Sequence, residues 1–107
     1  MVEGMSRLLT DDEIARHLGD LPGWRRDGES LVASYTAPDF PTAVQLIVEA
    51  GVEAERMRHH PDVDLRWKIT HWRLSTHSEG GVTQLDIELA HRISRAAARM
   101  GAVTKHS

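Results

Sequence analysis

From Val63 onward the chain alternates. Val63, Leu65, Trp67 and Ile69 are apolar, and Asp64, Arg66, Lys68 and Thr70 fall between them. A period of two predicts a strand with one buried face. The phase then reverses, because Trp72, Leu74 and Thr76 carry the other parity. A one-residue shift exchanges the faces of a strand, so a tight hairpin turn or a bulge is expected around Lys68 to His71. On this parity Trp67 packs into the core with Leu65 and Ile69. Trp24 and Trp72 are expected there too.

The rest of the chain reads in the same way. Thr10 and Glu13 form a capping box ahead of Ile14, Ala15 and Leu18, and Gly19 stops that short helix. Trp24–Arg26 and Ser30–Thr36 flank Asp27-Gly28, a hairpin signal. Leu31, Ala33 and Tyr35 share one face, although Val32 interrupts the alternation. Asp39 caps a second helix with Pro41 in its first turn. Helical spacing runs from Phe40 to Arg58 through Phe40, Val44, Ile47, Val48, Val52 and Ala54. Gly51 lets a sheet or a partner approach that helix closely. Pro61 disfavours helical geometry at His60, so the helix should end near His59. Glu79-Gly80-Gly81 is a loop. Thr83 caps a last helix lined by Leu85, Leu89, Ile93, Ala96, Ala97 and Met100, and Gly101 ends it. The order helix, two strands, helix, two strands, helix predicts an α+β fold: a four-stranded antiparallel sheet with three helices packed on one face.

Composition narrows the functional classes. The 107 residues make one domain, 1–107, with residues 1–9 read as a flexible leader. Net charge is −3 and the basic residues are scattered, so no footprint for nucleic acid is expected. There is no cysteine, which excludes disulfides, thiolate metal sites and cysteine nucleophiles. Neither a signal-peptide core nor a membrane-length apolar run occurs. The expectation is a soluble cytoplasmic protein with no membrane partner.

The candidate chemistry lies in one spaced set: Glu55, three free positions, His59-His60-Pro61, Trp67, Ser75-Thr76-His77 and Asp86. These positions fall at element edges, where distant parts of a chain converge. Imidazole alone has an unperturbed pKa near neutrality, so three imidazoles with two carboxylates predict a proton-transfer site. Each residue also has a plain structural reading. His59 and His60 suit a helix C-terminus. Asp86 suits the third position of a helix capped by Thr83. Glu55 suits a solvated flank. No His-x-x-x-His pair occurs on any predicted helix, and no metal site is expected.

The whole set resembles the pterin-4a-carbinolamine dehydratase family: a charged residue, three free positions, His-His-Pro, an aromatic, nine positions, His, a loop and Asp. Leu74-Ser75-Thr76-His77, Asp86-Ile87-Glu88-Leu89-Ala90, Gly23-Trp24 and Asp39-Phe40 add to the likeness. Val63 stands where the family often has an aromatic, and Thr70 and Trp72 alter its aliphatic ladder. The resemblance implies dehydration of 4a-hydroxytetrahydropterin to quinonoid dihydropterin, which recycles a tetrahydropterin cofactor, with no cofactor of the enzyme's own. It implies catalytic roles for His59, His60, His77 and Asp86. Asp86 would orient His77 or contact the pterin. Substrate contacts are implied for Glu55, Pro61, Trp67, Ser75 and Thr76, with Trp67 walling the pocket. It implies a homodimer or homotetramer, consistent with a small sheet whose edges lack partners. The alternative is a non-enzymatic interaction or assembly-factor protein on the same fold.

Overall fold

The structure, a computed structural model, describes residues 7–104. Residues 1–6 of the expected leader lie outside the described residues. Arg7 to Leu9 are tied down rather than free. Arg7 donates to both Glu13 oxygens at 3.1 Å, and Leu9 N–H donates to the Val82 carbonyl at 3.0 Å.

The capping box opens α1 (Asp11–Leu18) as expected, with Thr10 N–H on Glu13 Oε1 at 2.8 Å and Glu13 N–H on Thr10 Oγ1 at 3.1 Å. A hairpin joins β1 (Arg25–Asp27) to β2 (Ser30–Thr36), and Gly28 takes the positive φ of 61° that its turn requires. Then follow α2 (Phe40–Met57), β3 (Asp62–Arg66), β4 (Ile69–Leu74) and α3 (Gln84–Arg99). A fifth strand, β5 (Val103–Thr104), was not foreseen, and it extends the sheet beside the far end of β2 through Tyr35↔Thr104 and Thr36↔Val103. The four longer strands lie in the order β1-β2-β4-β3, all antiparallel. The architecture is α+β.

Two expectations fail for physical reasons. The β3–β4 turn is Trp67-Lys68, earlier than expected, since Arg66 pairs with Ile69 and Leu65 with Thr70. Trp67 occupies the turn at φ 55° and is 71% exposed, not packed beside Leu65. Positive φ at the first central residue alone is the pattern of a type II′ turn, where glycine is usual. The second failure concerns α2. Its buried face is Ala43, Leu46, Ala50 and Ala54, whereas Phe40, Val44, Val48 and Val52 of the predicted stripe are exposed. The helix carries two apolar stripes. The alanine stripe faces the core because small side chains let the helix axis approach the other layer closely.

Trp24 and Trp72 are buried as expected. Trp72 Nε1 donates to Thr70 Oγ1 at 2.8 Å and Trp24 Nε1 to the Tyr35 hydroxyl at 2.9 Å, so neither indole leaves its N–H unpaired. Leu31, Ala33, Tyr35, Thr70, Trp72 and Leu74 form the inward face of β2 and β4. The alternate residues of these strands look out from the other face. Ion pairs from Arg92 to Glu53 at 3.0 Å and from Arg99 to Glu49 at 2.8 Å join α2 to α3 at the surface.

Candidate active site

The end of α2 sets the first two histidines. The helix stops at Met57, and Arg58 turns left-handed at φ 53°. Arg58 N–H donates to the Glu55 carbonyl at 3.1 Å and His59 N–H to the Ala54 carbonyl at 3.0 Å. These two bonds make a Schellman motif, which closes a helix by reversing its chain direction. Glycine usually holds the left-handed position, and arginine there gave no stop signal in the sequence. The reversal parts the pair. His59 goes into the protein and is 9% exposed, while His60 stays at the surface. His60 Nε2 lies 2.6 Å from Glu55 Oε1, one turn back on the same helix end.

His59 meets Asp86. Its Nε2 is 2.6 Å from Asp86 Oδ1, and Asp86 is 0% exposed. The other carboxylate oxygen, Oδ2, accepts the Thr76 hydroxyl at 2.8 Å and the Thr83 N–H at 2.9 Å. A buried carboxylate is costly unless its lone pairs are filled, and here three donors fill them. Both readings of Asp86 are realised at once: it completes the capping box of α3 and it holds a histidine. The histidine is His59, not the expected His77. Asp86 is thus enclosed by His59, Thr76 and Thr83.

His77 is exposed and opens the turn that leads from β4 to α3. Thr76, just before it, is buried and anchored by its N–H to the Gly81 carbonyl at 2.9 Å. The β3–β4 ladder ends at Asp62↔Arg73. Pro61 and the two histidines before it therefore leave the sheet at the same end as Ser75, Thr76 and His77. Ser75 spends its hydroxyl on the Glu29 carbonyl at 2.8 Å, and Thr76 turns its own inward to Asp86. Trp67 is not brought to this group. It lies beyond the opposite end of β3, roughly 17 Å along the strand at ~3.3 Å per residue. There Lys68 Nζ sits 4.7 Å over its ring. Thr83 was read only as a cap. Its role beneath Asp86 was signalled by the Thr-x-x-Asp spacing, but not the partner across the site.

Among the described residues no group of three or more His, Asp or Glu converges as a metal would need. A separate concavity of about 740 Å³ lies on the outward face of the sheet, with Ser34, Asp62, Asp64, His71 and Arg73 among its lining. It reaches the histidine end through Asp62 and its ladder partner Arg73.

The model of the family Pterin 4 alpha carbinolamine dehydratase matches residues 7–96. The chain belongs to the pterin-4a-carbinolamine dehydratase family. Relatives carry the name "Putative pterin-4-alpha-carbinolamine dehydratase". One from Nocardia farcinica is 45% identical over 86% of this chain and 97% of its own. Another, from Roseiflexus castenholzii, is 44% identical over 83% and 96%. A crystal structure from Brucella melitensis, titled a transcriptional coactivator/pterin dehydratase, superposes with a TM-score of 0.83 at 34% identity. It covers 85% of this chain and 99% of that one. As a pterin-4a-carbinolamine dehydratase family member, the chain has the fold its element order predicted, and the matched region contains the whole histidine set.

Proposed function

We propose that this protein removes water from a 4a-hydroxytetrahydropterin, giving the quinonoid dihydropterin, and so returns a tetrahydropterin cofactor to use. The hydroxyl on C4a leaves as water once it is protonated. The ring gives up a proton as the new double bond forms. One acid and one base near neutral pKa meet both needs. His60 and His77 are exposed at one end of the β3–β4 hairpin and take these two roles. His59 binds or assists from beneath, held by Asp86. No bound cofactor is needed, because no electrons change hands. The single observation that supports this reading best is the convergence of His59, His60 and His77 on one end of the fold.

The protein works as a homodimer or homotetramer in the cytoplasm. The exposed stripe Phe40, Val44, Val48 and Val52 on α2 supports self-association, since four large apolar residues in a row are costly in water. The same stripe also supports the second reading, an interaction protein on this fold. The discriminating experiment is titration with a stable dihydropterin product analogue, followed by NMR. The expected result is a saturable shift of the His60 and His77 ring signals. Binding that leaves both rings unmoved contradicts the site, and absence of any binding favours the interaction reading.

A further inference from the structure

The hydrogen bonds around Asp86 have a direction, and that direction reaches His59. Leu85 N–H donates to Thr83 Oγ1 at 3.2 Å. Thr76 Oγ1 lies 2.7 Å from Thr83 Oγ1 and 2.8 Å from Asp86 Oδ2. A hydroxyl has one proton. The carboxylate can only accept, so Thr76 gives its proton to Asp86 and accepts that of Thr83. Thr83 N–H donates to the same Oδ2 at 2.9 Å. Asp86 Oδ1 then faces His59 Nε2 at 2.6 Å as a pure acceptor. Nε2 must carry a hydrogen to make that bond.

The other ring nitrogen follows by elimination. Among the described residues no buried side-chain nitrogen or oxygen lacks a partner. Nδ1 of His59 makes no hydrogen bond within the described residues, so it reaches the accessible surface. We infer that Thr76 is a positioning residue: its hydroxyl, acting through Asp86, holds His59 as the Nε2–H tautomer and leaves Nδ1 as the nitrogen that meets the substrate.

Thr76 also has a second reach. It directly precedes His77, and its main chain is fixed to Gly81. One residue thus ties the turn that carries His77 to the helix end that carries His59. Asp86 is the knot, with the Thr76 hydroxyl on one oxygen and His59 on the other. The geometry stands without any activity; its kinetic consequence rests on the dehydratase reading.

The test compares Thr76→Val, which keeps the shape and removes the hydroxyl, with Thr76→Ser, which keeps the hydroxyl. Long-range ¹H–¹⁵N spectra of the free proteins read the His59 tautomer, and turnover of 4a-hydroxytetrahydropterin reads kcat and KM. The unsubstituted protein and Thr76→Ser should show the Nε2–H tautomer. Thr76→Val should show a mixture, because a carboxylate held at Oδ2 by the Thr83 N–H alone can turn away from Nε2. Its kcat should fall by about 10-fold with KM little changed, as happens when the support of a working group is removed. A Val variant with one tautomer and full kcat overturns the proposal, and so does a Ser variant no better than Val. Should Thr76→Val not fold, an Nδ1–H tautomer in the unsubstituted protein is sufficient to overturn it. A pinned tautomer in a protein that dehydrates no pterin sustains the positioning role and removes the dehydratase reading instead.

Discussion

His59 Nε2 lies 2.6 Å from Asp86 Oδ1, joining the turn that ends α2 to the first turn of α3 across 27 positions of sequence. Both groups are buried, so the bond is shielded from competing water. Asp86 is at once the cap of α3 and the support of a histidine, and the two roles share one carboxylate.

Asp86→Asn should therefore damage both properties. Folding should weaken by about 1–3 kcal/mol, because a buried acceptor set is disrupted. Turnover should fall by roughly 10–100-fold, as for lost supports of this kind. Lowered stability with normal kcat would reduce Asp86 to its capping role. A double-mutant cycle assigns the partner. Asp86→Asn with His59→Gln should be clearly less than additive in kcat, and more strongly coupled than Asp86→Asn with His77→Ala. The reverse order would place the coupling where the structure does not.

Trp67 sits in a left-handed turn that suits glycine. Trp67→Gly should be more stable than Trp67→Ala by about 1 kcal/mol in urea unfolding, since alanine keeps the strain and glycine relieves it. Neither change should alter kcat/KM by more than about twofold, because the tip is remote from the histidines, roughly 17 Å along β3. A large loss of activity would mean that Trp67 serves a site through another copy of the chain.

The exposed stripe on α2 gives a prediction on assembly. Val48→Lys places a charge in the middle of Phe40, Val44, Val48 and Val52. Sedimentation should show a smaller species for this variant than for the unsubstituted protein, with the circular dichroism spectrum unchanged. Identical sedimentation would remove this stripe as a contact.

Glu13 makes the stability of α1 depend on pH. Bonds from Arg7, and next from Thr10 N–H, hold the Glu13 carboxyl down from 4.5 to about 2. A carboxyl depressed in the folded state contributes its full stability above its unfolded value and loses it as pH falls through its folded value. The stability gap between the protein and Glu13→Gln should thus be widest near neutral pH. It should close between about pH 4.5 and 2. A gap that stays constant over that range would show that the capping box does not depend on the charge.

The sequence displayed elements more clearly than contacts. Capping boxes at Thr10 and Thr83 and the Asp39 cap reported local chemistry, and each stands in the structure. What escaped was set by partners far along the chain or by unusual turn residues. Trp67 and Arg58 adopt left-handed φ without being Gly, Asn or Asp, so the residue of the β3–β4 turn was hidden, while the end of α2 was announced by Pro61 alone. On α2 helical spacing fitted two stripes, and only packing decides that alanines face inward. The histidine set was legible as a set. The pairing of Asp86 with His59 was not, because the reversal at Arg58 decides which histidine turns in.

The most direct measurement is the rate of water loss from synthetic 4a-hydroxytetrahydropterin with purified protein in EDTA. Acceleration over buffer that survives the chelator is expected, with a fall by roughly 10²–10⁴-fold in His60→Ala and in His77→Ala, the usual worth of a general acid or base. A rate equal to buffer, or an activity lost in EDTA and restored by zinc, would contradict it.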